Sequence, residues 1–442
     1  MHLNRAAILL IAVAVSLGEL LTGSSAIAAG PYPTTGSLSK ENCNTAKDFL
    51  PPEILEHFCS GGYHNEIAEW PLGKFNRGQA FQAATEKNAS ELRLSNDGAI
   101  VDSGGKQPPF IFGTPFPRID KNDPQAGLKV IWNYFYGLYS SGDYHNEIVL
   151  TWLSPTGIDR SAVQDVYFKY YDGIPPDLRK PNPQNLSMQF LASAMKPADL
   201  YGTTALTWRF RESSKRDTSW AFVPALRRVR ALSPANRSDG FLGSDMSQDD
   251  GPFFDGKPQE FDWKLTGEQE SYRLTDPYRL AGVHKEEKLP NGGWKVLYPN
   301  IPMIGYEDKA WGGLPWACVS CVLSKRKFLV VEGVPKDRYY LYGKIQLWID
   351  SETFQGAWNR KFSWQGELLN SLQVSGGPAQ TPDGVHYYDL HVGGGMVTQI
   401  GENLKLTRAT VAAFEPGNPI DEVGVPMDPG FFEYQSLYRF GK

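Results

Sequence analysis

Four cysteines, a pentapeptide used twice and one pair of carboxylates are the residues of this 442-residue chain whose types and spacing could do chemistry. Cys318 and Cys321 form a C-x-x-C, which suits a redox dithiol, half of a zinc site or a small structural disulfide. Val322 stands where a haem attachment needs histidine, and the sequence continues through Lys325-Arg326-Lys327 into the strand-like FLVVEGV. No thioredoxin-like helix pattern follows, so the structural disulfide is favoured. The sequence Tyr-His-Asn-Glu-Ile occurs at 63–67 and again at 144–148. On a strand, His64 with Glu66 and His145 with Glu147 would each share a face, which is half of a metal site. The wet side of an edge strand explains both pairs as well, and no metal is assigned. Asp350 and Glu352 could be read as the carboxylate pair of a glycoside hydrolase, but WIDSET reads more simply as a strand end and a turn. A G-x-S-x-G elbow, a phosphate loop, a dinucleotide fingerprint and H-E-x-x-H are all missing from the sequence. No catalytic residue and no cofactor is therefore assigned.

The stretch around which the other elements can be arranged is 197–240. Leu206, Trp208 and Phe210 alternate with Thr207, Arg209 and Arg211, the period of a strand with one apolar and one polar face. A polar turn, SSKRDTS, leads into a return arm with Trp220, Phe222 and Leu226, then Arg227, Arg228 and Arg230. The apolar face of such a hairpin must lie against a packed core or a bound lipid-like molecule. In a continuous strand Arg228 and Arg230 would share one side, and Arg227 would point to the other, toward a carboxylate or a polar ligand head.

Composition narrows the class. With 41% hydrophobic and 21% charged residues the chain is globular, and 13% aromatics with 44 Gly and 32 Pro favour many strands joined by turns. The net charge of −5, with basic residues mostly dispersed, offers no broad phosphate-binding surface, so nucleic acid is not expected as a partner. Arg5, the apolar run Ala6–Gly18 and Ala26-Ile27-Ala28 have the pattern of a cleaved signal peptide over residues 1–28. Export places the cysteines in an oxidising compartment. There Cys43 and Cys59, which flank a predicted helix, are expected to bridge, closing a loop worth about 3 kcal/mol in the chain-entropy picture.

Along the rest of the chain, Ile54, Leu55 and Phe58 mark a short helix after Pro51-Pro52, and 78–89 reads as a second helix. Leu128, Ile131, Trp132 and Phe135 have helical spacing and predict a helix that caps one face of a sheet. Strand-like runs follow at 144–153, 161–171, 187–195 and 261–265, without a β-α-β rhythm, so the sheet should be antiparallel. The acidic stretch 233–256 reads as a solvated loop or lid. In 339–350, Leu341, Ile345, Leu347 and Ile349 alternate with Tyr342, Lys344, Gln346 and Trp348. Further strands are expected over 357–374, 385–397 and 403–414, and a final helix or hooked tail over 428–440.

An ordered string of motifs carries a family resemblance: Gly113-x-Pro115-Phe116-Pro117, Gly127-x-Lys129-x-x-Trp132-Asn133, Pro197-x-x-Leu200-x-Gly202, Trp220-x-Phe222-x-Pro224 with Arg227-Arg228-Val229-Arg230, and Asp262-Trp263-Lys264-Leu265. The mature chain resembles the domain-of-unknown-function 1329 family, exported proteins similar to the periplasmic lipoprotein carriers. That resemblance implies a β-dominated α+β fold, a curved and unclosed antiparallel half-barrel with covering helices, formed by 29–442 as one domain with an N-terminal helical cover. It further implies a non-enzymatic periplasmic carrier of a lipid or other hydrophobic molecule, with an inner-membrane transporter as partner and association with the outer membrane. Trp208, Phe210, Trp220, Phe222, Arg227, Tyr342 and Trp348 are the expected ligand contacts. A secreted carbohydrate-active enzyme or sugar-binding protein is the alternative, since aromatic platforms and scattered carboxylates would serve it too.

Overall fold

A helix that is apolar on every side must be covered on every side. Helix α3 is of this kind. In the computed structural model, which describes residues 34–70, 77–275, 285–297, 300–376, 379–380, 386–387, 398–414 and 420–440, it spans Ala126–Tyr139, after α1 (Pro52–Cys59) and α2 (Gln79–Glu91). Val130, Ile131, Tyr134 and Phe135 on α3 are fully buried. What covers them is a sheet made of two consecutive antiparallel meanders.

The first meander comprises β1 (Tyr144–Ser154), β2 (Gly157–Tyr170), β3 (Leu186–Lys196), β4 (Thr204–Phe210), β5 (Thr218–Val223) and β6 (Arg228–Leu232). The second comprises β7 (Phe261–Thr275), β8 (Val322–Pro335), β9 (Lys344–Asp350), β10 (Gly356–Phe362), β11 (Leu368–Ser375), β12 (Thr398–Asn403) and β13 (Arg408–Ala413). They join where β13 pairs with β1, Ala409 opposite Leu153 and Ala413 opposite Val149. Strands β6 and β7 are left as the two far edges, and among the described residues no ladder joins them. The sheet is curved and unclosed, and the fold is β-dominated with few helices.

This order has a topological consequence. The chain leaves β6 at one edge and must reach β7 at the other, so residues 233–260 cross from edge to edge. They do so over the concave side, where Tyr134 donates a hydrogen bond to the Pro252 carbonyl (2.8 Å) and Phe254 meets Phe135. We call this segment the strap. Two strand glycines make room for it: a Cβ on Gly356 would overlap the Phe253 ring, and one on Gly401 would overlap Met246. Gly127 allows a third close approach, of α3 to β7, since its Cβ would lie 2.8 Å from the Lys264 backbone.

The convex side has its own cover. Helix α1, the 302–321 loop and the outward faces of β8–β13 form a second core around Phe58, Trp316, Trp348 and Trp358. The C-terminal tail, a series of short helical turns from Pro429 to Phe440, packs on the outer face of β3–β5. Cys43 is bonded to Cys59 and Cys318 to Cys321. The repeated pentapeptide marks a similar local structure, in which a helix ends, a glycine-containing turn follows and a buried tyrosine leads into a strand, which begins at Asn65 after Tyr63 and on Tyr144 itself in the second copy. Asn65 then clasps the Cys318 and Cys321 carbonyls at 2.7 and 2.8 Å, and Asn146 donates to Asp421 at 2.8 Å. His64 is exposed, whereas both ring nitrogens of His145 are taken by carboxylates, Asp165 at 2.6 Å and Glu422 at 3.2 Å.

Three expectations are corrected. The acidic 233–256 segment is not solvated: Asp245, Asp249, Asp250 and Asp255 are buried against cations of the sheet. The strand expected to begin at Tyr339 begins at Lys344. Tyr342 therefore escapes the alternation and is buried on the concave side, while Leu341 is exposed. In the 197–240 hairpin, Arg227 has a left-handed backbone (φ 49°) at the end of a turn, before the strand resumes at Arg228. Of the strand expected over 385–397 only His386–Tyr387 is described, and the 1–28 leader lies outside the described residues.

Candidate functional site

Between the strap and the first meander lies a cavity of about 110 Å³. Its floor follows from the period of β1 and β2: Ile148 and Leu150 on one, Gln164, Val166 and Phe168 on the other, all turned to the concave side. Phe190 of β3 and Ala412 of β13 extend the floor, and Phe241 and Met246 of the strap roof it. The lining is mostly hydrocarbon. Gln164 is buried there and its carboxamide has no hydrogen-bond partner among the described residues, which leaves one polar handle on an otherwise apolar floor.

Charges at the rim are present but consumed by one another. Arg209 of β4 donates to Asp217 (2.8 Å) and to Asp255 (2.7 Å), and Arg237 of the strap donates to Asp249 (2.6 Å) and Asp255 (3.0 Å). Tyr340 donates to the other Asp249 oxygen at 2.8 Å. Lys361 of β10 holds Asp250 at 2.5 Å, and Arg408 and Thr410 of β13 hold Asp245 at 2.9 and 3.2 Å. Burial pushes the Asp255 carboxyl above the usual carboxylate range even though Arg209 and Arg237 pull it down. Burial likewise works against the charge on Arg209, and Asp217 and Asp255 more than offset it, holding the guanidinium firmly protonated. The strap is thus fastened by ion pairs drawn from both meanders, and the space beneath it offers no free charge from these groups.

The hairpin residues expected at a ligand site fall in different places. Trp208, Trp220 and Phe222 lie on the outer face under the C-terminal tail: Trp208 donates to the Phe432 carbonyl (2.8 Å), Trp220 packs edge-on to Trp208 and Tyr434, and Phe222 meets Tyr438. It is Thr207 and Arg209, the polar face of the same strand, that look into the concavity. Phe210 lines a small gap with Trp132 and Arg211 at the end of β4. Arg227 is exposed. Tyr342 is buried on the concave side, 5.3 Å from the Lys361 ammonium, and Trp348 belongs to the convex core with Phe328. None of these residues lines the cavity. Its floor was legible as the i, i+2 series Gln164, Val166 and Phe168, a weaker signal than paired tryptophans.

The Asp350 and Glu352 pair is bound to a single guanidinium, with Arg326 2.7 Å from each carboxylate. Burial alone would raise the Asp350 carboxyl, but Arg326 prevails and holds it below the usual range. Two carboxylates fixed on one arginine cannot divide into a general acid and a nucleophile.

A curved open sheet, a buried helix and a strap over an apolar hollow define this chain as an open half-barrel fold. Residues 37–296 match the family described as protein of unknown function (DUF1329), and the chain belongs to that family. It is 24% identical over 353 residues to the uncharacterized protein PA3922 of Pseudomonas aeruginosa, covering 77% of this chain and 69% of that one. Among solved structures it is similar to a domain from Vibrio parahaemolyticus ascribed to outer membrane lipoprotein sorting (16% identity, TM-score 0.46) and to a DUF1329 family protein from Desulfovibrio piger (18%, 0.44). Each superposition covers 72% of this chain and 100% of the other.

Proposed function

We propose that this chain is a non-enzymatic carrier of a lipid or other uncharged hydrophobic molecule, held between the strap and the floor of β1–β3. The observation that supports it is the pairing of an apolar hollow with a rim whose charges are mutually satisfied: such a space favours hydrocarbon and penalises an unpaired ionic group. An apolar cavity of about 150 Å³ accepts a benzene-sized molecule, so the hollow as it stands takes part of a ligand, and a longer chain enters as the strap yields. Each methylene buried would contribute about 0.8 kcal/mol, and about five are needed to offset even about 4 kcal/mol of association entropy. The same reading makes the chain an exported periplasmic protein of one domain, acting beside the outer membrane with an inner-membrane transporter of hydrophobic compounds as its partner.

The test is extraction of the purified protein and mass spectrometry of what co-purifies, followed by titration of the emptied protein with a fluorescent fatty acid. A co-purifying hydrophobe and saturable micromolar uptake are expected. If neither appears and the protein instead hydrolyses a glycan, the carrier reading fails and the carbohydrate reading replaces it.

A further inference from the structure

On the opposite side of the sheet from the hollow, Lys169 of β2 stands next to Phe168 in sequence and therefore points outward. Its side chain is only 4% exposed, yet among the described residues it makes no hydrogen bond or ion pair. Its nearest groups are aromatic: the ammonium is 5.5 Å from the ring centroids of both Tyr171 and Phe432. It looks into a second cavity, of about 360 Å³, between the end of β2, the 142–143 turn, Lys180 and the 424–429 segment.

The one buried carboxylate of that cavity is already committed. Asp143 receives Lys180 on both oxygens, at 2.6 and 2.5 Å, and one of those oxygens also accepts the Tyr170 N–H at 2.8 Å. Two ammonium groups thus face one saturated carboxylate, with exposed Asp428 acting from the rim. Burial lowers the Lys169 ammonium below the ordinary lysine range, and Lys180 adds to this while Asp143 and Asp428 oppose it. A buried cation without a hydrogen-bonded counter-charge is costly, and a cavity large enough for an anion lies in front of it.

We propose that Lys169 and Lys180 form a binding site for an oxyanion, a phosphate or carboxylate group, in this outer cavity. The site is independent of the apolar hollow and does not rest on the carrier reading. Charge-assisted hydrogen bonds from the Lys169 ammonium to the anion oxygens would supply the missing partner, and the Tyr171 and Phe432 rings would shield the pair from water.

The full chain is titrated calorimetrically with sodium phosphate and with sodium acetate, against sodium chloride at matched ionic strength. Saturable one-to-one binding of phosphate or acetate, absent with chloride, is expected, and which of the two binds identifies the class of oxyanion. Lys169→Met should weaken that binding about tenfold or more, while leaving the unliganded protein at least as thermostable as wild type and hydrophobe uptake unchanged. Lys169→Arg, which keeps the charge, should retain part of the affinity. No saturable heat with either anion, or affinity unchanged in Lys169→Met, overturns the proposal. Should Lys169→Met fail to fold, the side-chain resonances of Lys169 in the wild-type protein decide: they shift on adding the anion if it binds there and stay fixed if it does not.

Discussion

Arg209 and Asp255 meet at 2.7 Å beneath the strap, one from the fourth strand of the sheet and the other from the segment that crosses it, and both are withdrawn from solvent. Breaking a buried pair by removing one partner leaves an uncompensated charge, which costs about 3–5 kcal/mol. Asp255→Ala is therefore expected to lower unfolding stability by about that amount. Hydrogen exchange over 245–256 should accelerate before that of β2 or β9. Uniform acceleration across the sheet would show that the pair does not fasten the strap in particular.

The two faces of the first meander should separate function from stability. Phe168→Asp puts an ionised group on the cavity floor and is expected to abolish fatty-acid uptake. Trp208→Asp, on the outer face under Phe432, should destabilise the protein by about 3 kcal/mol or more without weakening uptake per folded molecule. Fluorescence titration paired with denaturant unfolding distinguishes them. Loss of uptake in Trp208→Asp alone would move the site to the convex face.

Widening a glycine on the floor should act through the strap. A Cβ on Gly401 collides with Met246, so Gly401→Ala forces the strap outward or bends β12, and overpacking of this kind costs about 1–3 kcal/mol. Met246→Ala in the same chain is expected to restore part of the loss. Additive losses in a double-mutant cycle would contradict the contact.

His145 gives the fold a pH dependence of definite sign. Burial would lower its proton affinity, but hydrogen bonds and charge from Asp165 and Glu422 prevail and raise it above the ordinary histidine value. A group whose pKa is raised on folding contributes stability that is fully present below its unfolded value, about 6.5, and is lost as pH rises through the folded value. Unfolding measured between pH 6 and pH 9 should show that decline, and His145→Gln should flatten it. An unchanged slope in the variant would assign the decline to other groups.

Non-reducing peptide mapping should recover Cys43 linked to Cys59 and Cys318 linked to Cys321. Loss of the first bridge in a Cys43→Ser, Cys59→Ser protein is expected to cost about 3 kcal/mol. Recovery of a Cys43 to Cys318 peptide would refute the pairing.

Period and spacing made much of the architecture readable. The α3 stripe of Leu128, Ile131, Trp132 and Phe135, the strands of the first meander and the short helix after Pro51-Pro52 stand where the sequence puts them, whereas in the second meander the strand expected from Tyr339 begins at Lys344 and the run expected over 357–374 is two strands. Alternation, however, says which residues share a face and not which face is inside. Leu206, Trp208, Trp220 and Phe222 do share one, but a tail more than two hundred residues further on covers it from outside. Arg209 is turned inward instead because the strap supplies its carboxylates, and an acidic stretch carries no local mark of whether water or distant cations will receive it. The exchange of faces and the burial of the strap are one event, decided by pairs such as Arg209 with Asp255 and Lys361 with Asp250.

The strap takes its fastenings from residues made both before and after it. Asp255 is met by Arg209, but Asp250 waits for Lys361 and Gln399, and Asp245 for Arg408 and Thr410. As the chain emerges amino end first, the first meander and the strap appear while the second meander is still to come. The acidic groups of the strap must stay hydrated through that interval, and the hollow has no roof. The fastenings through Lys361 and Arg408 can therefore form only once the second meander has been made, so a chain cut short before it lacks half of what holds the strap down.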